Sequence, residues 1–157
     1  MATKNSDLYA KQANPILGNR VRGDNLTPTV LMLIATYTML GTEAANDIIN
    51  IAQLPQGTMI VPHLCQVVSD GIATTATLDV GDDDVLGVGS AADADRYADG
   101  LDVAAAGSDL FSAIASAANT VPYRLGSDAI IKGLFATMNT PVAGKKLVFR
   151  IAYLALV

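Results

Sequence analysis

Short apolar stretches run the length of this chain, each broken after a few residues by Gly, Pro, Asp or Asn. Thr29–Met39 reads TVLMLIATYTM, and its second half sets Thr36 and Thr38 against Ala35, Tyr37 and Met39. Period-two alternation with β-branched and aromatic residues predicts a strand. Asp47–Gln53 is a second apolar run, closed by Leu54-Pro55-Gln56-Gly57. Pro55 fixes φ there and Gly57 permits a positive one, so the string predicts a turn. Thr58–Ser69 resumes as a long strand ended by Asp70-Gly71, and Pro62 within it lacks an amide donor, which predicts an edge or a bulge.

Ala73–Val80 is Thr-rich and alternating, as in a half-exposed strand. Gly81–Gly100 reads as one long polar excursion, and Leu101–Ala106 as a returning strand. In Ser108–Ala118, Leu110 and Ile114 are spaced for a helix with Ser108 as N-cap; the segment also suits a weak strand, and we expect the short helix. Val121–Leu125, Ala129–Met138 and Leu147–Leu156 read as strands, with Gly133 marking a bulge and Asn139–Gly144 a turn. In the last strand Leu147, Phe149, Ile151, Tyr153 and Ala155 share the face expected to line the core. About eight short strands with punctuated turns, and no heptad or βαβ rhythm, predict an all-β fold: a jelly-roll-like β-sandwich. Residues 1–25, interrupted by Pro15, Gly18 and Gly23, read as an extended N-terminal arm, leaving 26–157 as the sandwich domain.

Composition narrows the function. The 157 residues fit one domain. Neither of the longest apolar runs, Val30–Ala35 and Ile151–Val157, approaches the ~20 residues of a spanning helix, and the start of the chain carries no apolar signal segment. We therefore expect no membrane partner. Net charge is −5, and nine of the fifteen acids fall between Asp79 and Asp109. Bases are few and scattered, so nucleic acid is not an expected partner. The lone Cys65 excludes an intramolecular disulfide and fits assembly in a reducing compartment.

Candidate chemistry is sparse. His63 and Cys65 form an H-x-C pair on one face of the predicted strand, without the further ligands a metal site needs. No G-x-S-x-G elbow is present, and Gly87-Val88-Gly89 lacks the rest of a dinucleotide loop. Asp93, Asp95, Asp99 and Asp102 are the best ion candidates, but their spacing fails the EF-hand pattern: Tyr97 takes position 5 and Ala104 position 12. A solvated acidic loop is the favoured reading for these residues and for Asp82-Asp83-Asp84. No catalytic residues and no cofactor are expected.

Three strings add a resemblance: MATKNSD at Met1–Asp7, LPQG at Leu54–Gly57, and ATLDVG at Ala76–Gly81 leading to ADRYADGLDVAAAG at Ala94–Gly107. In this order, before a closing apolar strand, they resemble small structural proteins of tailed bacteriophages, including the capsid decoration (cement) proteins. The likeness covers most of residues 51–157 and the first seven. It implies a non-enzymatic virion protein, made in the bacterial cytoplasm, that binds the outer capsid surface and bridges capsomers. Its implied partners are the major capsid protein and itself, as a homodimer or homotrimer. Position and composition nominate Tyr9, Arg20 and Arg22 of the arm as capsid-facing. Two alternatives stay open: a tail, fibre or head-spike subunit, and a calcium-dependent ligand-binding jelly roll using the acidic residues.

Overall fold

The computed structural model describes residues 3–5, 30–84, 92–111 and 122–155. They build two facing sheets, the all-β sandwich the alternation predicts. The strands are β1 (Thr3–Asn5), β2 (Val30–Thr38), β3 (Ile48–Leu54), β4 (Met59–Ile60), β5 (Gln66–Asp70) and β6 (Thr75–Asp82). They continue with β7 (Asp93–Asp102), β8 (Ala106–Leu110), β9 (Tyr123–Arg124), β10 (Ala129–Asn139) and β11 (Lys146–Leu154). The first sheet has the order β1-β3-β10-β6-β7. In the second, β11 pairs on one side with β2 along its whole length. Its other side is shared: Leu147–Arg150 pair with β5, and Tyr153–Leu154 with β4. β8 and β9 lie outside β5 and β4. β1, within the stretch read as an arm, runs parallel to β3 with Thr3 opposite Ile48.

One apolar core fills the space between the sheets, as alternation requires. Leu33, Ala35 and Tyr37 enter it from β2, Ile49 and Ile51 from β3, and Leu78 and Val80 from β6. Tyr97 and Leu101 come from β7, Ile131 and Phe135 from β10. The expected inward face of β11 is found at Leu147, Phe149, Ile151 and Tyr153.

Several local expectations change. Thr58–Ser69 is not one strand: Pro62 opens a 3-10 turn over Pro62–Leu64 that separates β4 from β5. A ring without an amide donor suits the first position of such a turn better than a ladder. Ser108–Leu110, expected in a helix, belong to β8, because pairing with Val68, Val67 and Gln66 outweighs a weak helical spacing; residues 112–120 lie outside the described set. The end of the expected polar excursion, residues 93–100, belongs to the long strand β7. The register shift in β10 against β3 falls between Ile131 and Lys132 rather than at Gly133. Gly133 instead leaves room for core side chains, since a β-carbon there would sit 3.3 Å from Leu78 Cδ1. The LPQG turn forms as expected, with Gly57 at φ +84°.

Candidate assembly surface

The outward residues of the second sheet are set by period two and by the register. Successive rows across it are Val30–Leu154–Met59–Arg124, Ile34–Arg150–Gln66–Leu110, and Thr36–Val148–Val68–Ser108. Met32 stands between the first two rows, opposite Ala152. Along β2 the outward apolar side chains are open to solvent: Val30 is 48% exposed, Met32 52% and Ile34 59%. Leu110 is similarly exposed at the far side of the same face. A soluble surface seldom groups large apolar residues in this way without a partner. The charges on this face are mainly basic, Arg124, Lys146 and Arg150 against Asp70. Arg150 Nη1 donates to Gln66 Oε1 at 3.0 Å, which draws the guanidinium towards β5 and away from β2.

The first sheet presents the opposite chemistry. Its edge strand β7 carries Asp93, Asp95, Asp99 and Asp102. Asp93 and Asp95 are neighbours on one face, and hydrogen bonding to Asp93 pushes the Asp95 carboxyl up to about 6. Burial raises Asp79 as well, against the Gly100 amide that donates to it at 2.8 Å. Among the described residues no group of three or more His, Cys, Asp or Glu is placed to hold a metal ion.

The three consecutive aspartates are not a solvated loop. Asp82 is buried, accepts from the Tyr97 hydroxyl, and pairs with Arg96 Nε at 3.2 Å. Burial raises its pKa despite these partners. Asp83 accepts from the Ile130 amide at 2.6 Å and pairs with Lys132 at 3.0 Å. Asp84 is fully buried and accepts from the Gly126 amide at 2.7 Å, the Ser127 amide at 3.1 Å and the Ser127 hydroxyl at 2.7 Å. The Tyr123 hydroxyl adds a fourth bond at 3.2 Å, and the Arg96 guanidinium stacks over the Tyr123 ring at 4.1 Å. The triplet thus fastens three separate segments to the end of β6. The LPQG turn docks on one of them, Gln56 donating its amide to Asp128 and its side chain to the Gly126 carbonyl, each at 2.8 Å.

The other candidates are placed as follows. His63 sits exposed in the 3-10 turn, whereas Cys65 is buried, so they do not share a strand face. Cys65 Sγ accepts from the Ala152 amide at 3.2 Å, and burial pushes its thiol up to about 12. Tyr9, Arg20 and Arg22 lie outside the described residues. Sequence reading missed the exposure of Val30, Met32 and Ile34, because an unbroken apolar run does not reveal which of its faces is covered. It also missed buried Glu43, which accepts from the Tyr37 hydroxyl at 2.6 Å and from the Leu40 and Gly41 amides at 2.7 and 2.9 Å. Burial opposes its ionisation, but these donors prevail and hold its carboxyl below the usual range.

With this geometry the chain can be compared with solved structures. Over 99% of its length it superposes on 99% of a chain from the capsid of Ralstonia phage GP4, with a TM-score of 0.66 and 20% identity. The two share a fold. A chain of the cyanophage Pam1 capsid matches with a TM-score of 0.48 at 20% identity, over 86% of this chain and 91% of that one. One from the acid-stable capsid of Helicobacter pylori bacteriophage KHP30 matches with 0.49 at 17%, over 82% and 90%. No protein-family model matches the sequence, and no curated protein matches it.

Proposed function

We propose that this chain is a structural protein of a tailed-phage virion, and within it a head decoration protein that binds the outer capsid surface and bridges capsomers. The observation that carries the reading is the end-to-end fold likeness to a chain of the Ralstonia phage GP4 capsid. The surface supports it: an open apolar face on one sheet and an acidic edge on the other suit a subunit held between a partner and water. Attachment at many weak contacts gives strong retention. Residues 1–25 act in this reading as an arm, with Tyr9, Arg20 and Arg22 touching the major capsid protein. Gold-labelled protein located on intact virions by electron microscopy tests the proposal. Label spread over the whole head is expected. Label confined to the tail or one vertex makes the chain a tail, fibre or spike subunit, and absence from virions overturns the virion reading.

A further inference from the structure

We propose that Asp99-Gly100, on the edge strand β7, is a site of spontaneous isoaspartate formation for which Asp79 serves as the base. The Asp-Gly step occurs twice in the sequence, at Asp70-Gly71 and at Asp99-Gly100. A glycine in second place carries no side chain to obstruct ring closure onto the preceding carboxyl. Local sequence therefore makes the two steps near equals, and the fold separates them. The Gly100 amide donates to Asp79 Oδ1 at 2.8 Å. The Gly71 amide donates instead to Ser69 Oγ at 3.0 Å, and a hydroxyl is no base near neutral pH. Asp70 accepts from the Lys146 amide at 3.2 Å, which ties its carboxyl to β11, whereas Asp99 is exposed on the last strand of its sheet. Space differs in the same sense. A β-carbon at Gly71 would lie 3.2 Å from the Ala106 amide nitrogen, and one at Gly100 would meet nothing within 4 Å. Ring closure turns the backbone about the glycine, and only Gly100 has that room.

An amide nitrogen attacks a carboxyl only as it loses its proton, and the Asp79 carboxylate is within reach to take it. Burial, and after it the charge of Asp99, raises the Asp79 pKa against the pull of the Gly100 amide, which strengthens Asp79 as a base. The Gly100 nitrogen bonds to Cγ of the neutral Asp99 carboxyl as its proton passes to Asp79. The Cγ–OH bond then breaks, and the hydroxyl leaves as water with the proton that Asp79 returns. The product is a succinimide, lighter than the parent by a water molecule, and no oxidant or co-reactant is consumed. Water opens the ring at either carbonyl. Opening at Cγ restores aspartate. Opening at the backbone carbonyl leaves the chain running through the side chain, longer by a methylene. Leu101 and Asp102 lie just past that point and pair with Leu78 and Thr77, and Leu101 is part of the core. The isomer therefore draws the end of β7 out of register with β6. This inference does not depend on the virion reading.

The test is to age the full chain in weakly acidic buffer made with oxygen-18 water. Peptide mapping with electron-transfer fragmentation separates isoaspartate from aspartate, and each ring opening adds a heavy oxygen. Both signals should accumulate at Asp99 roughly tenfold faster than at Asp70. In denaturing urea, where only the local sequence acts, the two sites should react at similar rates. Asp79→Asn keeps an acceptor oxygen towards Gly100 but removes the base. It should slow Asp99 roughly tenfold and leave Asp70 unchanged. A folded chain in which Asp99 converts no faster than Asp70 overturns the proposal. So does an equal preference for Asp99 in urea, which would assign the reactivity to sequence rather than fold. A folded Asp79→Asn variant that converts Asp99 at the wild-type rate also overturns it. If that variant fails to fold, the comparison of folded and urea-treated wild type decides.

Discussion

The two sheets end in edge strands built on different terms. β2 is laid against β11 in nine successive pairs, Val30 with Leu154 through Thr38 with Lys146, with no register shift. β7 is laid against β6 with two shifts, a Gly100 at φ +70° and a row of aspartates. The irregular ladder and the charges are devices that discourage a further strand from adding to an edge. β2 shows neither along its length. One edge is thus defended by departures from regularity, and those departures must be held in place by particular residues. The other depends on regular pairing and core burial, and its outer face is free to be spent on contact.

That contrast predicts where the molecule is fragile. The largest loss is expected from Asp82→Ala, which removes the buried carboxylate beneath β7 and strands Tyr97 and Arg96 without it. Breaking a buried pair of this kind costs about 3–5 kcal/mol, measurable by denaturant unfolding. Next comes Gly81→Ala. A β-carbon there would lie 1.8 Å from the Asp93 carbonyl oxygen, so β7 must move off β6. We expect a loss of about 3 kcal/mol, with amide exchange accelerated in β7 and unchanged in β2. Equal loosening of both edges would erase the distinction between them.

The smallest effect is a pH dependence. Asp95 titrates near 6 in the folded chain, against about 3.9 unfolded. Its folded pKa is raised, so the stabilisation it contributes is complete below the unfolded value and is lost as pH rises through 6. Asp79 and Asp82 are raised as well and push in the same direction. Melting temperature should therefore rise slightly between pH 7 and pH 5, and Asp93→Asn should flatten that rise. A wild-type profile that falls over this window would mean that the β7 acids are not in contact.

Much of the fold was legible because period two is a physical constraint on a half-buried strand. The inward face of β11 and the turns at Gly57 and Asn139–Gly144 follow from local rules alone. Acidity was misleading. Asp82, Asp83 and Asp84 look solvated in a sequence, yet their partners Arg96, Lys132 and Ser127 lie between 14 and 49 residues away. Nothing local announces such closures. ATLDVG now has a reason for its last residue: Gly81 is where the β7 backbone crosses too close for any side chain. Exposure on β2 was hidden for the converse reason. Its apolar run satisfies the core on one side whatever the other side does.

The arrangement around β10 and β11 also governs how the chain comes into being. These two strands are consecutive, joined by a single turn, yet each lies inside a different sheet. Both follow every other described strand in the sequence. Neither layer can close until these two late strands have emerged from the ribosome. At about 5–20 residues per second, β2 and β3 wait on the order of ten seconds for their partners. Long-range pairing of this kind folds slowly. Through that interval neither sheet can cover its apolar faces, and any truncation that removes β10 and β11 leaves both layers without a centre.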